Sequence, residues 1–330
     1  MNPTQLRRVL SLIEKLEPIL LAVAALIGLA LGHFSGLSGM LGPWVQILLV
    51  LMLVGVFWDI PFKDLKKGFS DLKFSLTSLA INFIWIPIFG FLLAKIFLSG
   101  SNDLQIGFIM LLVTPCTDWY LVFTAMARGN LPLSASILPL NLIVQLLLLP
   151  LYLWLFGGLA GKSDPLYILW QVVLVLFAPL LVARILFALS SKRERLNLAL
   201  RRLFPGLRFW YLFLAVLCMF AGEGATILER PDIFLLLLVP VLAFFVLNFL
   251  IVRFIASLMR FGFRDGVSLN LTTLARNSPV ALTVAIGAFP NQPLIALALI
   301  IGPLIELPTL ALIANVLLRL GRKRGVPGYE

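Results

Sequence analysis

Three short stretches hold the residue types that could do chemistry. Residues 114–120 read TPCTDWY and set Thr114, Cys116, Thr117 and Asp118 around a proline. Residues 274–282 read LARNSPVAL and supply Arg276, Asn277 and Ser278. Residues 302–308 read GPLIELP and carry Glu306. A thiol, as its thiolate, is a ligand for soft, thiophilic centres. Two carboxylates against one arginine leave one acid over, which is what a proton carrier requires. Arg276 pairs with Asp118 or with Glu306, and residue types alone do not choose between them. Each residue also has a plainer use. Cys116 alone would be an inert packing residue, and Cys218, with no polar neighbours, is placed in that class. A structural ion pair is the plainer reading of the charged trio. Asn141 and Asn248 are by default interhelical hydrogen-bonding groups, and Thr114, Asn141 and Gln145 rank as supporting residues.

The elements that must position these groups are membrane spans. Of 330 residues, 61% are hydrophobic and 12% charged, against roughly 25% charged in soluble domains. A span needs about 20 apolar residues. The runs read as ten, over 17–34, 42–60, 74–98, 104–127, 131–157, 165–189, 207–222, 233–257, 267–289 and 293–319, the seventh short and extensible toward Leu203. With both termini cytoplasmic, the outer side holds only Lys95, Lys162 and Arg230 of the 26 basic residues, and Arg276 lies within a span. This asymmetry follows the positive-inside rule. It accounts for the net charge of +11 without a nucleic-acid partner. The expected location is the inner (plasma) membrane, multi-pass. Residues 5–16 pattern as a short helix on the inner surface, the N-terminal run lacks a signal-peptide cleavage site, and His33 is interfacial. Two cysteines within apolar segments make no disulfide framework. The sole histidine is peripheral, and neither HExxH nor GxSxG occurs, so no metal, no cofactor and no enzyme activity are expected. Oligomeric state leaves no sign in the sequence.

A shift of 161 residues sets Pro18 on Pro179, Cys116 on Asn277, Asn130 on Asn291, Pro132 on Pro293 and Gln145 on Glu306. It maps spans 1–5 (residues 1–160) onto spans 6–10 (residues 161–330). Five is odd, so the second half enters from the opposite side. Inverted repeats of this kind build secondary transporters with a midplane site between discontinuous helices. The expected fold is thus an all-α membrane protein of ten helices in two inverted five-helix repeats. Helices 4 and 9 are expected to be discontinuous and to meet near the midplane, because each carries a proline and a polar cluster at membrane depth. A charge there costs about 2.5–3.5 kcal/mol on insertion scales, so the ionisable trio marks either pairing or a substrate path.

At these residues the chain resembles the bile acid/sodium symporter superfamily, and within it the arsenite permeases. PCTDWYLVFTAMARGN looks like that family's fourth span and GPLIELP like its last. The resemblance implies a panel of spans 1, 2, 6 and 7 and a core of spans 3–5 and 8–10, in which the broken helices 4 and 9 cross. It also implies a substrate role for Cys116 and a functional role for Glu306. LARNSPVAL departs from the Glu- and Gln-rich ninth span of sodium-coupled members, and Arg276 there stands in place of a cation that relatives bind.

The expected function is secondary active transport, with proton-coupled efflux of arsenite or antimonite foremost. Cys116 is the thiol ligand; Thr117, Asp118, Arg276, Asn277 and Ser278 complete the substrate site, and Asp118 or Glu306 exchanges the proton. The alternative keeps the fold and carries a small organic anion, coupled to sodium or protons and held by Arg276 and half-helix ends.

Overall fold

The computed structural model describes residues 20, 23–24, 26–32, 38–58, 71–116, 119–157, 165–204, 207–229 and 231–327. The N-terminal surface helix, His33, Thr117, Asp118 and Lys162 expected from sequence lie outside the described residues. Among those described, the chain is helical and forms no strand. Contacts divide it into two compact units, Met1–Asp59 with Val175–Pro231 and Ile60–Leu174 with Asp232–Glu330.

The first unit is built on α1 (Ser38–Trp58) and later segments. These are α6 (Pro165–Ser190) from Val175 onward, α7 (Glu194–Leu203) and α8 (Arg208–Glu229). α1 packs along α8. Helical residues 26–32 approach the same helix closely: a Cβ on Gly28 would lie 2.7 Å from Phe220 Cβ, and one on Gly32 2.7 Å from Ala221 O. Small residues four apart let membrane helices approach at backbone distance. The fully buried Trp58 meets Phe187 edge-on at 5.7 Å and stacks on Phe204 at 6.4 Å. The seventh span differs from its expected bounds. It extends at the other end, to Glu229, while the residues before Leu203 form the separate α7. That segment, ERLNLALRRL, buries nothing; Glu194, Arg195, Arg201 and Arg202 gather on one face and Leu196, Leu200 and Leu203 on the other, an amphipathic pattern rather than that of an apolar span.

The second unit holds α2 (Leu72–Phe97, with a π-helical turn at Ile81–Trp85), α3 (Asn102–Leu112), α4 (Trp119–Met126) and α5 (Leu131–Gly157). It continues with α9 (Pro231–Leu258), α10 (Phe263–Leu274), α11 (Ser278–Ala288) and α12 (Pro293–Lys323). Among the described residues of both units, five helical stretches are long and apolar enough to cross a membrane: Leu72–Phe97, Leu131–Leu155, Val173–Ser190, Asp232–Leu258 and Pro293–Lys323. Along α9, Leu235, Val239, Val246, Leu250, Phe254 and Leu258 form an exposed stripe at helical spacing. Lipid, not water, is the solvent such a face requires. Prolines 139, 150, 240, 303 and 308 sit inside these helices without ending them.

Close packing of α3 on α12 centres on Gly107, where a Cβ would stand 2.7 Å from both Ala298 Cβ and Ile295 O. The α4–α5 turn is latched to the start of α10. Asn130 Nδ2 donates to Asp265 Oδ1 at 2.7 Å, its backbone N to Arg264 O at 3.2 Å, and Ser268 Oγ to Asn130 O at 3.0 Å. Arg128 enters this turn at φ 53°, a left-handed conformation uncommon outside glycine.

Candidate functional site

The expected fourth and ninth spans are both interrupted. α3 stops at Leu112 and α4 starts at Trp119; α10 stops at Leu274 and α11 starts at Ser278. The two unwound stretches meet as a short antiparallel bridge between Pro115 and Arg276. Cys116 N donates to Ala275 O at 2.9 Å, and Asn277 N donates to Thr114 O at 2.6 Å. These bonds satisfy backbone groups that hydrocarbon would leave unpaired. The two prolines do different work. Pro115 lies in the unwound stretch, whereas Pro279 is in the first turn of α11, where its missing N–H costs nothing. Asn277 caps α11 by accepting from Val280 N at 3.3 Å.

The structure gives Arg276 an unexpected set of partners. Its guanidinium donates to Leu112 O at 2.7 Å, Thr273 O at 2.7 Å, Leu274 O at 3.1 Å and Asn82 Oδ1 at 3.0 Å. Four of its five N–H groups are thus spent on neutral oxygens, and none of these bonds goes to a carboxylate. Three of the acceptors are backbone carbonyls at the C-terminal ends of α3 and α10, where the helix dipoles place about half a negative charge each. One fixed cation therefore binds both interrupted helices. The Phe244 ring lies 5.7 Å from the guanidinium carbon, adding a cation–π contact. Glu306 is also buried, but it accepts from the backbone N of Arg276, at 2.6 Å. Pairing between carboxylate and guanidinium, one of the two expected arrangements, is replaced by this bond.

Cys116 is buried at the crossover and joined to no disulfide. Thr114 spends its hydroxyl on Met110 O and Leu111 O of its own helix, which makes it a local cap. Ser278 is buried, and its Oγ has no hydrogen-bond partner. Asn141 and Gln145 are fully buried on α5, with no hydrogen bond joining them to the crossover. The crossover thus gathers Thr114, Cys116, Arg276, Asn277 and Glu306. Among the described residues no group of three or more His, Cys, Asp or Glu could hold a metal ion.

One site residue escaped the sequence reading, and one expected only as an interhelical hydrogen-bonding group proves to brace the site. Asn82 sits in the π-helical turn of α2, an irregularity common at functional sites; a lone asparagine in AINFIW was its only signal. Asn248 bridges elements, accepting from Trp85 Nε1 at 3.2 Å and donating to Thr273 O at 3.0 Å. It therefore buttresses one of the carbonyls that Arg276 uses.

The Sodium Bile acid symporter family model matches residues 46–230, a span that includes Cys116 and stops short of Arg276 and Glu306. The chain is 25% identical to the arsenical-resistance protein Acr3 of Corynebacterium glutamicum, over 98% of this chain and 94% of that protein. It is 21% identical to the Acr3 of Alkaliphilus metalliredigens, over 92% and 91%. It is also 22% identical to the uncharacterized transporter slr0944 of Synechocystis, over 93% and 88%. The matched family model covers more than half of the chain, and its relatives align end to end. The chain belongs to the Sodium Bile acid symporter family and is a multi-pass, ion-coupled membrane transporter rather than an enzyme.

Proposed function

We propose that the protein exports trivalent arsenic or antimony hydroxides in exchange for protons, with Cys116 as the thiol ligand at the helix crossover. The observation that carries this reading is the Arg276 guanidinium seated in a shell of carbonyl and amide oxygens beside a buried cysteine. That shell has the chemistry of a hard-cation site, oxygen ligands converging on one positive charge. A fixed positive charge in it repels sodium at close range in low dielectric, which leaves the proton as coupling ion and Glu306 or Asp118 as its carrier. The names of two relatives, both arsenical-resistance proteins, point to the same cargo. An organic anion would need Arg276 for itself, and four of its five N–H groups are already spent on the helix ends and Asn82.

The architecture proposed for this activity is ten spans in two inverted halves, 1–160 and 161–330. Each half contributes panel spans (1, 2, 6 and 7) and core spans (3–5 and 8–10), and both termini are cytoplasmic. Helix bounds support it. Shifted by 161, α3 falls on 263–273 against Phe263–Leu274 for α10, and α2 falls on 233–258 against Pro231–Leu258 for α9. The same shift exchanges the two crossover bonds, Cys116 N to Ala275 O and Asn277 N to Thr114 O.

The decisive experiment is proton-driven uptake of arsenite into everted membrane vesicles. Wild-type vesicles accumulate arsenite and stop when the proton gradient is collapsed, while replacing sodium with choline changes nothing. Cys116→Ser loses uptake and Cys218→Ser keeps it. A Cys116→Ser protein that transports like wild type would overturn the thiol mechanism.

A further inference from the structure

Down one face of α5 runs a column of polar side chains without hydrogen-bond partners. Ser134, Asn141 and Gln145 are seven and four residues apart, which sets them on one side of a helix. All three are fully buried. Ser134 Oγ, both ends of the Asn141 carboxamide and both ends of the Gln145 carboxamide have no partner. A different stripe of the helix, Leu147, Leu151 and Leu155, is exposed. α5 packs against α10, and α10 brings two more unpartnered buried atoms, Thr272 Oγ1 and Asn270 Oδ1. Most buried polar groups in proteins are satisfied. Five unmatched atoms on one helix face, with two more on the helix packed beside it, therefore ask for a ligand.

The position of Gln145 explains why its amide is unspent. Glu306, 161 residues later, accepts from Arg276 N; the residue 161 before Arg276 is Pro115, which has no N–H to offer. Gln145 stands in the place of Glu306 without a backbone donor to receive. Carboxamides are uncharged and carry donors and acceptors in equal measure. An ion buried there would need a counter-charge, and the Arg276 guanidinium is committed elsewhere. A neutral molecule bearing several hydroxyl groups, each both donor and acceptor, satisfies such a lining.

We propose that Asn141 and Gln145 form a carboxamide subsite for the hydroxyl groups of a small neutral solute. It rests on the proposed cargo in that a trivalent arsenic hydroxide is such a solute, its arsenic facing the thiol and its hydroxyls the carboxamides. The experiment uses purified full-length protein and two neutral trihydroxide probes, arsenous acid, which is thiophilic, and boric acid, which is not. Melting-temperature shifts are titrated for wild type, Asn141→Leu, Gln145→Leu and Cys116→Ser. Without probe the Leu variants melt at or above wild type, because removing unsatisfied polar groups for apolar ones of similar size is neutral or stabilising; Asn141→Ala and Gln145→Met stand in if a Leu variant fails to fold. Each α5 substitution weakens half-saturation by either probe about tenfold, the worth of one lost hydrogen-bonding group. Cys116→Ser weakens arsenous acid alone. Should arsenous acid show no dependence on Cys116 while boric acid still depends on Asn141 and Gln145, the subsite stands and the arsenic reading falls. Should neither probe depend on the carboxamides, they hold only water and the subsite is refuted.

Discussion

Replacing Arg276 by alanine removes the cation that ties α3 to α10. Four acceptors lose a donor: Leu112 O, Thr273 O, Leu274 O and Asn82 Oδ1. Thr273 O retains Asn248 Nδ2, so the loss falls on the other three. A buried acceptor left unsatisfied costs about 1–3 kcal/mol, giving about 3–9 kcal/mol in total. Water entering the vacated volume recovers part of this, and about 3–5 kcal/mol is the reasonable expectation. Total stabilities run about 5–15 kcal/mol, so the crossover would be severely weakened. At about 2–4 °C per kcal/mol for units of this size, the melting temperature in detergent falls on the order of 10 °C. The perturbation has a chemical signature that ordinary packing loss lacks. The emptied shell is a set of oxygens facing a lost positive charge, so millimolar sodium or methylguanidinium should restore part of the melting temperature in Arg276→Ala. Choline is too large, and its quaternary nitrogen carries no N–H, so it should restore nothing; wild type should respond to none of the three. Differential scanning fluorimetry with salts matched in ionic strength reads all of this. A variant melting within about 2 °C of wild type, with no response to either small cation, would refute the idea that Arg276 serves as a tethered ion.

Glu306 separates structure from coupling. Glu306→Gln keeps an oxygen for Arg276 N and should fold near normally, yet lose proton-driven uptake in vesicles. Glu306→Ala orphans that N–H and should also cost about 1–3 kcal/mol in thermal denaturation. Gly107→Leu forces a side chain into a space already 2.7 Å from Ala298 Cβ and Ile295 O; it should part α3 from α12 and lower the yield of folded protein, with Gly100→Leu, which meets nothing within 4 Å, as the harmless control. Asn130→Ala deletes the cap of α5 and the 2.7 Å bond to Asp265, and about 1–2 kcal/mol of stability should go with it. Asp265→Asn, which retains an acceptor, should lose much less.

What the sequence revealed and what it hid divide along a physical line. Apolar runs are a one-dimensional signal, so the bounds of α5, α6 and α9 were legible to within a few residues. The interruption of the fourth and ninth spans was legible too, because prolines and polar clusters at membrane depth have few other uses. Partner choice was not. The sequence offered Arg276 two carboxylates, and charge counting favours such a pair; among the described residues the fold gives Glu306 the Arg276 backbone N–H and brings the guanidinium three carbonyls, groups every residue carries and no sequence displays. A carbonyl becomes a strong cation ligand only when a helix stops and its dipole ends there. Leu112 and Leu274 therefore look inert as letters and act as ligands as chain ends. Asn82 is the side-chain version of the same problem: its role depends on a π-turn that re-aims it, and nothing in AINFIW marks the turn. The ionic logic of this crossover is written in backbone termini, and a sequence shows where those fall only to within a residue or two. One residue is enough to rotate a carbonyl away from the guanidinium. An insertion in the VTPC stretch should therefore damage the site more than most substitutions of its polar side chains, since it would move Leu112 O away from Arg276 while leaving every named functional group in place.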